Sequence, residues 1–315
     1  MTRFLLRRLA MLVVTLLVAS FAIFAALELV PGSPIATLSG GRTLPPESIA
    51  VLNERFNLDE PFLARYWDWL TGALHGDLGI SIAKRQDVSS LIGERIGTTA
   101  MLVLMAALII VIVGIALGVI GALRPGFIDT GVLVSTTIGV AVPSFVAAIV
   151  LIAIFAVNLG WFPAFGSGSG FGDRIWHLTL PSIALAASSV AVLARVTRAS
   201  VQAELKREHV QTAVSRGIPW QLVLRRHVLR NAAIPITTVA GITIASLIAL
   251  SAVVERAFSL DGLGSYLINA ALSKDYAVVQ GISLVLIVSF VAVNTLVDVL
   301  YAVLDPRVKL GSRAA

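Results

Sequence analysis

The sequence predicts an all-α, polytopic membrane protein of six transmembrane helices, with a helical hairpin on the cytoplasmic side and a large extracytoplasmic first loop. Three observations carry this. Of 315 residues, 57% are hydrophobic and only 13% are charged, too little polar material to coat a soluble domain of this size. The apolar residues gather in runs of about 20, the length that crosses a bilayer core as a helix. Lysine and arginine lie overwhelmingly on one side of those runs, as the positive-inside bias requires. No cysteine is present, so neither disulfides nor thiolate metal sites hold the fold. No repeat or low-complexity tract divides the chain, and it reads as one membrane domain over 1–315.

The expected crossings are about 9–30, 98–123, 130–157, 177–199, 232–254 and 277–300. Pro143 falls inside the third and predicts a kink, because it lacks a backbone donor and crowds the preceding turn. Pro181 and Pro235 fall near expected helix starts, where proline is tolerated. The first run follows Arg3, Arg7 and Arg8, a pattern shared with signal peptides. It is longer than a usual signal core, and five more crossings follow, so the expectation is a retained helix.

Six crossings put both termini on one side. With that side inside, the inner segments hold Arg3, Arg7, Arg8, Arg124, the eight basic residues from Arg195 to Arg230, and Arg307, Lys309 and Arg313. The short outer loops hold Arg174, Arg256 and Lys274. Both termini are therefore expected in the cytoplasm. The outer loop 31–95 carries apolar positions at helical spacing (Ile49, Leu52, Phe56, Phe62, Tyr66, Trp69), which predict an amphipathic helix over 47–71. Trp67 and Trp69 suit a membrane–water interface.

Two glycine-rich runs mimic nucleotide or active-site motifs. Residues 38–42, LSGGR, resemble an ATPase signature, but none of the four lysines follows a glycine, so no phosphate-cradling GxxxxGK[ST] loop exists. GSGSGFG (166–172) fits neither GxSxG nor GxGxxG and reads as a turn. His75, His177, His209 and His227 have no metal-ligand spacing. No nucleophile–base pair is evident. Glu28, Glu255, Asp298 and His177 fall near helix ends, where a carboxylate or imidazole is expected to face head groups rather than carry protons. Asn294 and Ser144 suit either a pathway or helix–helix hydrogen bonds.

The basic island EHVQTAVSRGIPWQLVLRRHVLRN (208–231) is the informative segment. Trp220, Val223, Leu224 and Val228 recur as i, i+3, i+4, i+8, an amphipathic helix. Gly217 suits a left-handed cap after one helix and Pro219 the first turn of the next. The cytoplasmic loop 201–231 is thus helix, tight turn, helix. It could rest on anionic head groups, bind nucleic acid, or dock as a rigid knob into another protein; nearness to the bilayer disfavours nucleic acid.

These residues resemble the EAA loop of binding-protein-dependent ABC importer permeases, closely the dipeptide/oligopeptide/nickel branch and its B-type subunit. Gln211-Thr212-Ala213, three residues, then Gly217 stand at the EAA-x-x-x-G positions, departing at Glu and the first Ala. RRHVLRNAAIP (225–235) is similar to the branch's RHALRNALLP. Residues 56–81, 253–281 and 300–308 resemble its first outer loop, its last outer loop and its usual ending, while Gly97 stands where the branch usually has proline. The resemblance implies a non-catalytic subunit in the prokaryotic inner membrane. It implies a second homologous permease, two cytoplasmic ATPase subunits that bind ATP and Mg, an extracytoplasmic solute-binding protein, and surrounding lipids. It implies ATPase coupling through Val210, Gln211, Thr212, Ala213, Val214, Arg216, Gly217 and Ile218, with apolar docking by Val210, Ala213, Val214 and Ile218. The implied cargo is a dipeptide or oligopeptide, with a nickel chelate or glutathione as alternatives. A stand-alone secondary transporter or channel is the reading outside this family.

The topology is open to direct test. With no native cysteine, Ser215→Cys is expected to react with an impermeant maleimide only after cells are opened, and Ser48→Cys in intact spheroplasts. Labelling of position 215 from outside overturns the orientation.

Overall fold

The structure is a computed structural model that describes residues 2–29, 45 and 60–304. The LSGGR run, Ser48, the first half of the expected 47–71 helix and the basic residues after 304 lie outside the described residues. So do the side chains of Arg3, Arg7, Arg8, Glu28 and Asp298.

The described residues form helices α1 (Thr2–Glu28), α2 (Phe62–Leu74), α3 (Val88–Leu123), α4 (Phe127–Ala141) and α5 (Ser144–Asn158). After them come α6 (Phe171–Leu205), α7 (Glu208–Ser215), α8 (Trp220–Ala257), α9 (Leu263–Leu272) and α10 (Tyr276–Leu304). Among the described residues, five helices are long and apolar enough to cross a membrane, six when α4 and α5 count as one broken span. In hydrocarbon every backbone polar group must be satisfied internally, which is why apolar runs of this length become helices.

Several boundaries differ from the sequence expectation, each for a local reason. At Pro143 the chain does not merely kink: α4 and α5 meet at 104°, with Val142 and Pro143 both extended. Proline disfavours helical backbone in the residue before it, so α4 ends there and a new helix starts. Pro181 and Pro235, expected near helix starts, lie well inside α6 and α8. Both helices begin earlier than hydropathy marks. α6 starts in the polar stretch at Phe171, and α8 starts in the basic hairpin at Trp220. Burial of Leu178, Leu180 and Ser182 around one proline, and of Ala232 and Ile236 around the other, holds the helical path through them. α3 likewise starts at Val88, ten residues before the expected crossing, because the amphipathic stretch 88–97 buries Val88, Leu91 and Ile92 and continues the helix beyond its apolar part.

Two compact units emerge. The first comprises residues 1–97 and 261–289. Its core joins Val88, Leu91 and Ile92 of α3 to Leu263 and Ala270 of α9 and to Val278 and Ile282 of α10. Asp275, only 2% exposed, pins the loop before α3. Its carboxylate accepts Ser81 Oγ at 2.5 Å and the Ala83 and Ile82 amides at 3.1 and 3.3 Å. A buried carboxylate is tolerated when donors surround it in this way. Arg95 pairs with Asp261 at 2.9 Å and lies 4.3 Å over the Tyr266 ring.

The second unit comprises residues 98–260 and 290–315. Its hub is α6, against which α3, α4, α5 and α8 all pack. Small residues make this possible. A Cβ on Gly118 would sit 2.6 Å from the Ala194 carbonyl and collide with Thr197; one on Gly139 would sit 3.0 Å from Ala191. With no aqueous driving force between membrane helices, such close backbone approach supplies the dispersion contacts that hold them. Arg198 of α6 forks both carboxylate oxygens of Asp129 at the start of α4, Nη2 at 2.6 Å. Glu255 was expected to face head groups. It is instead fully buried and accepts Thr99 Oγ1 at 2.8 Å, since α8 continues past its apolar stretch beside α3. Asn294 spends its amide on the Phe290 carbonyl of its own helix.

Gly118→Val should therefore overpack the α3–α6 contact and cost roughly 1–3 kcal/mol, read as a lower melting temperature in detergent. Gly131→Ala, where a Cβ meets open space, should leave melting unchanged or raise it slightly. Equal melting of the two variants would show that the contact does not carry the packing.

Candidate functional site

The basic hairpin is built by α7, the turn after it, and the first turns of α8. Only Lys206 and Arg207 separate α6 from α7. Arg207 is extended and acts as the cap residue, and Glu208 places negative charge at the positive end of α7. Glu204 on α6 lies 3.5 Å from Arg207 Nε and 3.7 Å from His209 Nε2.

The turn closes with a paired hydrogen-bond pattern that needs left-handed backbone. The Gly217 amide donates to the Val214 carbonyl at 2.9 Å, and the Ile218 amide to the Ala213 carbonyl at 3.2 Å. Gly217 takes φ +76°, where a Cβ is disfavoured by the backbone itself. Pro219 then starts α8, and its carbonyl accepts the Leu222 and Val223 amides at 2.9 and 3.1 Å. Residues Leu224–Leu229 form a wider, i→i+5 turn within α8. The Asn231 amide nitrogen donates to the His227 carbonyl at 2.9 Å and lies 3.3 Å from His209 Nε2. This ties α7 to α8.

The structure separates the sequence-predicted residues into two groups. Val210 and Ala213 are 2% and 5% exposed and sit in the chain's own core with Val201, Val223 and Val228. Their side chains hold α7 against α6 and α8 and leave no surface for a partner. Gln211, Thr212, Val214, Arg216 and Gly217 are exposed, and Ile218 is half-buried. Gln211 reaches back to the Lys206 carbonyl at 3.4 Å.

Sequence periodicity put Trp220 on the buried stripe, yet Trp220 and Val214 are each 50% exposed and Leu222 is 39% exposed. Trp220 is the first residue after the proline, so it precedes the turn that packs, and the wide turn from Leu224 shifts the register behind it. The signal was its place at the helix start, where the periodic pattern has no preceding turn. The exposed residues of the hairpin thus include the apolar Val214, Trp220 and Leu222 together with Arg216, Arg225 and Arg226. An aromatic anchor with an arginine rim is the composition of a protein-docking surface.

The mechanical setting matters as much as the composition. α7 is locked to α6 by a two-residue joint, and the turn leads without interruption into α8, 38 residues long.

Comparison with known proteins agrees with this architecture. Residues 114–310 match the family described as binding-protein-dependent transport system inner membrane component, and residues 1–103 match its N-terminal component family. A protein of Brucella abortus (strain 2308), bearing the name of a peptide transport system permease, is 39% identical over 313 residues, 98% of this chain and 99% of its own. The glutathione transport system permease protein GsiC of Pectobacterium atrosepticum is 35% identical over 310 residues, 98% and 99% of the two chains. The oligopeptide transport system permease protein AppB of Bacillus subtilis (strain 168) is 34% identical over 316 residues, 98% and 100%. Among solved structures, a chain of the MetNI methionine ABC transporter in inward-facing conformations has TM-score 0.54 at 16% identity, over 68% of this chain and 96% of that one; this likeness concerns the fold.

Gly217→Val has no steric neighbour to meet, since nothing lies within 4 Å of the added Cβ. Its cost is the left-handed backbone alone, about 1–2 kcal/mol. Amide exchange at 217 and 218 should speed up roughly 5- to 30-fold, while the melting of the bundle stays put. Unchanged exchange in the turn would refute the strain.

Proposed function

The chain belongs to the binding-protein-dependent transport system inner membrane components, and from that premise we propose that it is the coupling-competent permease of an ATP-driven peptide importer. In this reading both termini and the hairpin lie in the cytoplasm. The exposed face of the hairpin seats in a cleft of a cytoplasmic ABC ATPase, which binds ATP and Mg. A second, homologous permease completes the pathway, and an extracytoplasmic solute-binding protein delivers cargo to segments 47–81 and 256–275. The whole of 1–315 acts as one translocation domain.

One observation carries the reading: a capped hairpin that exposes Val214, Trp220 and Leu222 among arginines and is joined directly to α8 and through two residues to α6. A loop that merely rests on head groups needs charge but no rigid capped turn. Closure of the ATPases around ATP would displace α7, and α6 and α8 would carry the displacement into the bundle. Peptide cargo is supported by the similarity to AppB, and glutathione, itself a tripeptide, by the similarity to GsiC.

The test is uptake in proteoliposomes holding the permease pair, the ATPases and the binding protein. Labelled peptide should accumulate only with ATP and binding protein present. Trp220→Ala is expected to weaken ATPase binding roughly 30-fold, the equivalent of about 2 kcal/mol for an interface anchor, while Val210→Ala should instead lower melting. Uptake that persists without the ATPases would sink the proposal, as would ATPase binding indifferent to Trp220 and Val214.

A further inference from the structure

Within the segment 47–81, the first unit holds a stripe of apolar side chains that the described residues leave exposed. α2 presents two apolar faces. On one, Phe62, Tyr66 and Trp69 stack edgewise or tilted against Phe21 and Phe24 of α1, with centroids 5.2–5.8 Å apart, and the Tyr66 hydroxyl lies 2.9 Å from Ser20 Oγ. On the other, Leu63, Trp67 and Leu74 line up as i, i+4, i+11 and are 67%, 62% and 77% exposed, while Leu70, at i+7 on the edge of the same line, is turned in and only 8% exposed. Ala64 and Asp68, also exposed, flank this stripe. A water-facing helix has no reason to line up three large apolar side chains on its bare side.

The contact with α1 sets the depth of α2. Ser20, Phe21 and Phe24 belong to the apolar window Ala10–Leu27, of which only 11% is buried. Ser20 lies seven residues before the window's end, about 10 Å along the helix at 1.5 Å per residue. Interfacial amphipathic helices settle about 5–10 Å into the head-group and acyl boundary, so the seam puts α2 at that level. The seam runs over residues 17–24 of α1 and 62–69 of α2, the Tyr66 hydroxyl also reaching the Leu17 carbonyl at 3.4 Å. Phe21 is still 41% exposed while its ring meets α2. The bare face of α1, with Val14, Leu17 and Val18, thus runs up to the seam.

We propose that α2 is a membrane-interface anchor: Leu63, Trp67 and Leu74 are immersed in the lipid boundary, with Asp68 turned to water. The occupant of the stripe is lipid, by continuity with the apolar surface of α1. Trp67 suits that level because its ring is apolar and its indole N–H can reach the head groups. The anchor braces the unit that also carries the Ser81–Asp275 loop lock.

The experiment uses the purified transporter reconstituted in phosphatidylethanolamine–phosphatidylglycerol liposomes. Leu63→Cys, Trp67→Cys, Leu74→Cys and Asp68→Cys each provide a single cysteine for a nitroxide label. Dissolved oxygen is expected to relax the labels at 63, 67 and 74 more than a water-soluble nickel chelate does, with the order reversed at 68. Nickel dominating at 63, 67 and 74 would place the stripe in water, free for a soluble protein. Exclusion of both reagents would place it under another protein chain. Either result overturns the anchor. A label-free measurement guards against local distortion: acyl chains brominated near the head group should quench less of the tryptophan emission in Trp67→Phe than in the unaltered protein. Equal quenching also overturns it.

Discussion

Everything in the second unit depends on how closely α3 can approach α6. At Gly118 the two backbones are so near that a single Cβ would sit 2.6 Å from the Ala194 carbonyl. Hydrocarbon does not drive helices together, so association rests on contact area, and contact area rests on this lack of side chain. With α6 held there, α4, α5 and α8 find their places around it, and the Arg198–Asp129 pair stitches α4 to the same helix. The small residues along α6 (Ala184, Ala186, Ser189, Ala191, Ala194) are buried for that reason.

The hairpin inherits its rigidity from that bundle. Val210 and Ala213 anchor α7 on the ends of α6 and α8, the paired hydrogen bonds around Gly217 close the turn, and α8 proceeds without interruption. Residues that resemble a docking motif in sequence thus do two different jobs. Some build the hairpin, and others present its surface. Val214, Trp220 and Leu222 stay exposed, while Val210, Ala213 and Val223 are buried in the chain's own core.

Buried charge in the described part of the molecule follows one rule. Asp275 and Glu255 are both enclosed, and each receives hydroxyl donors; Asp275 also receives backbone amides. Leaving such a carboxylate without donors would cost several kcal/mol. These groups therefore act as structural fasteners: Asp275 fixes a loop, and Glu255 joins α8 to α3 through Thr99.

The sequence alone determined the membrane class, the number of apolar spans, the helical hairpin and its left-handed glycine, because composition, run length and turn chemistry are local properties. It also carried the family, through the hairpin residues and the loops at 56–81 and 253–281. Hydropathy could not mark where α3, α6 and α8 begin, since polar residues continue a helix once its neighbours hold it. Helical periodicity placed Val223 and Val228 inside but misplaced Trp220, whose position at the helix start escapes the period. The sharp turn at Pro143, the burial of Val210, Ala213 and Glu255, and the bare stripe on α2 belong to the tertiary structure. Each depends on which surface another helix happens to cover, and no local pattern encodes that.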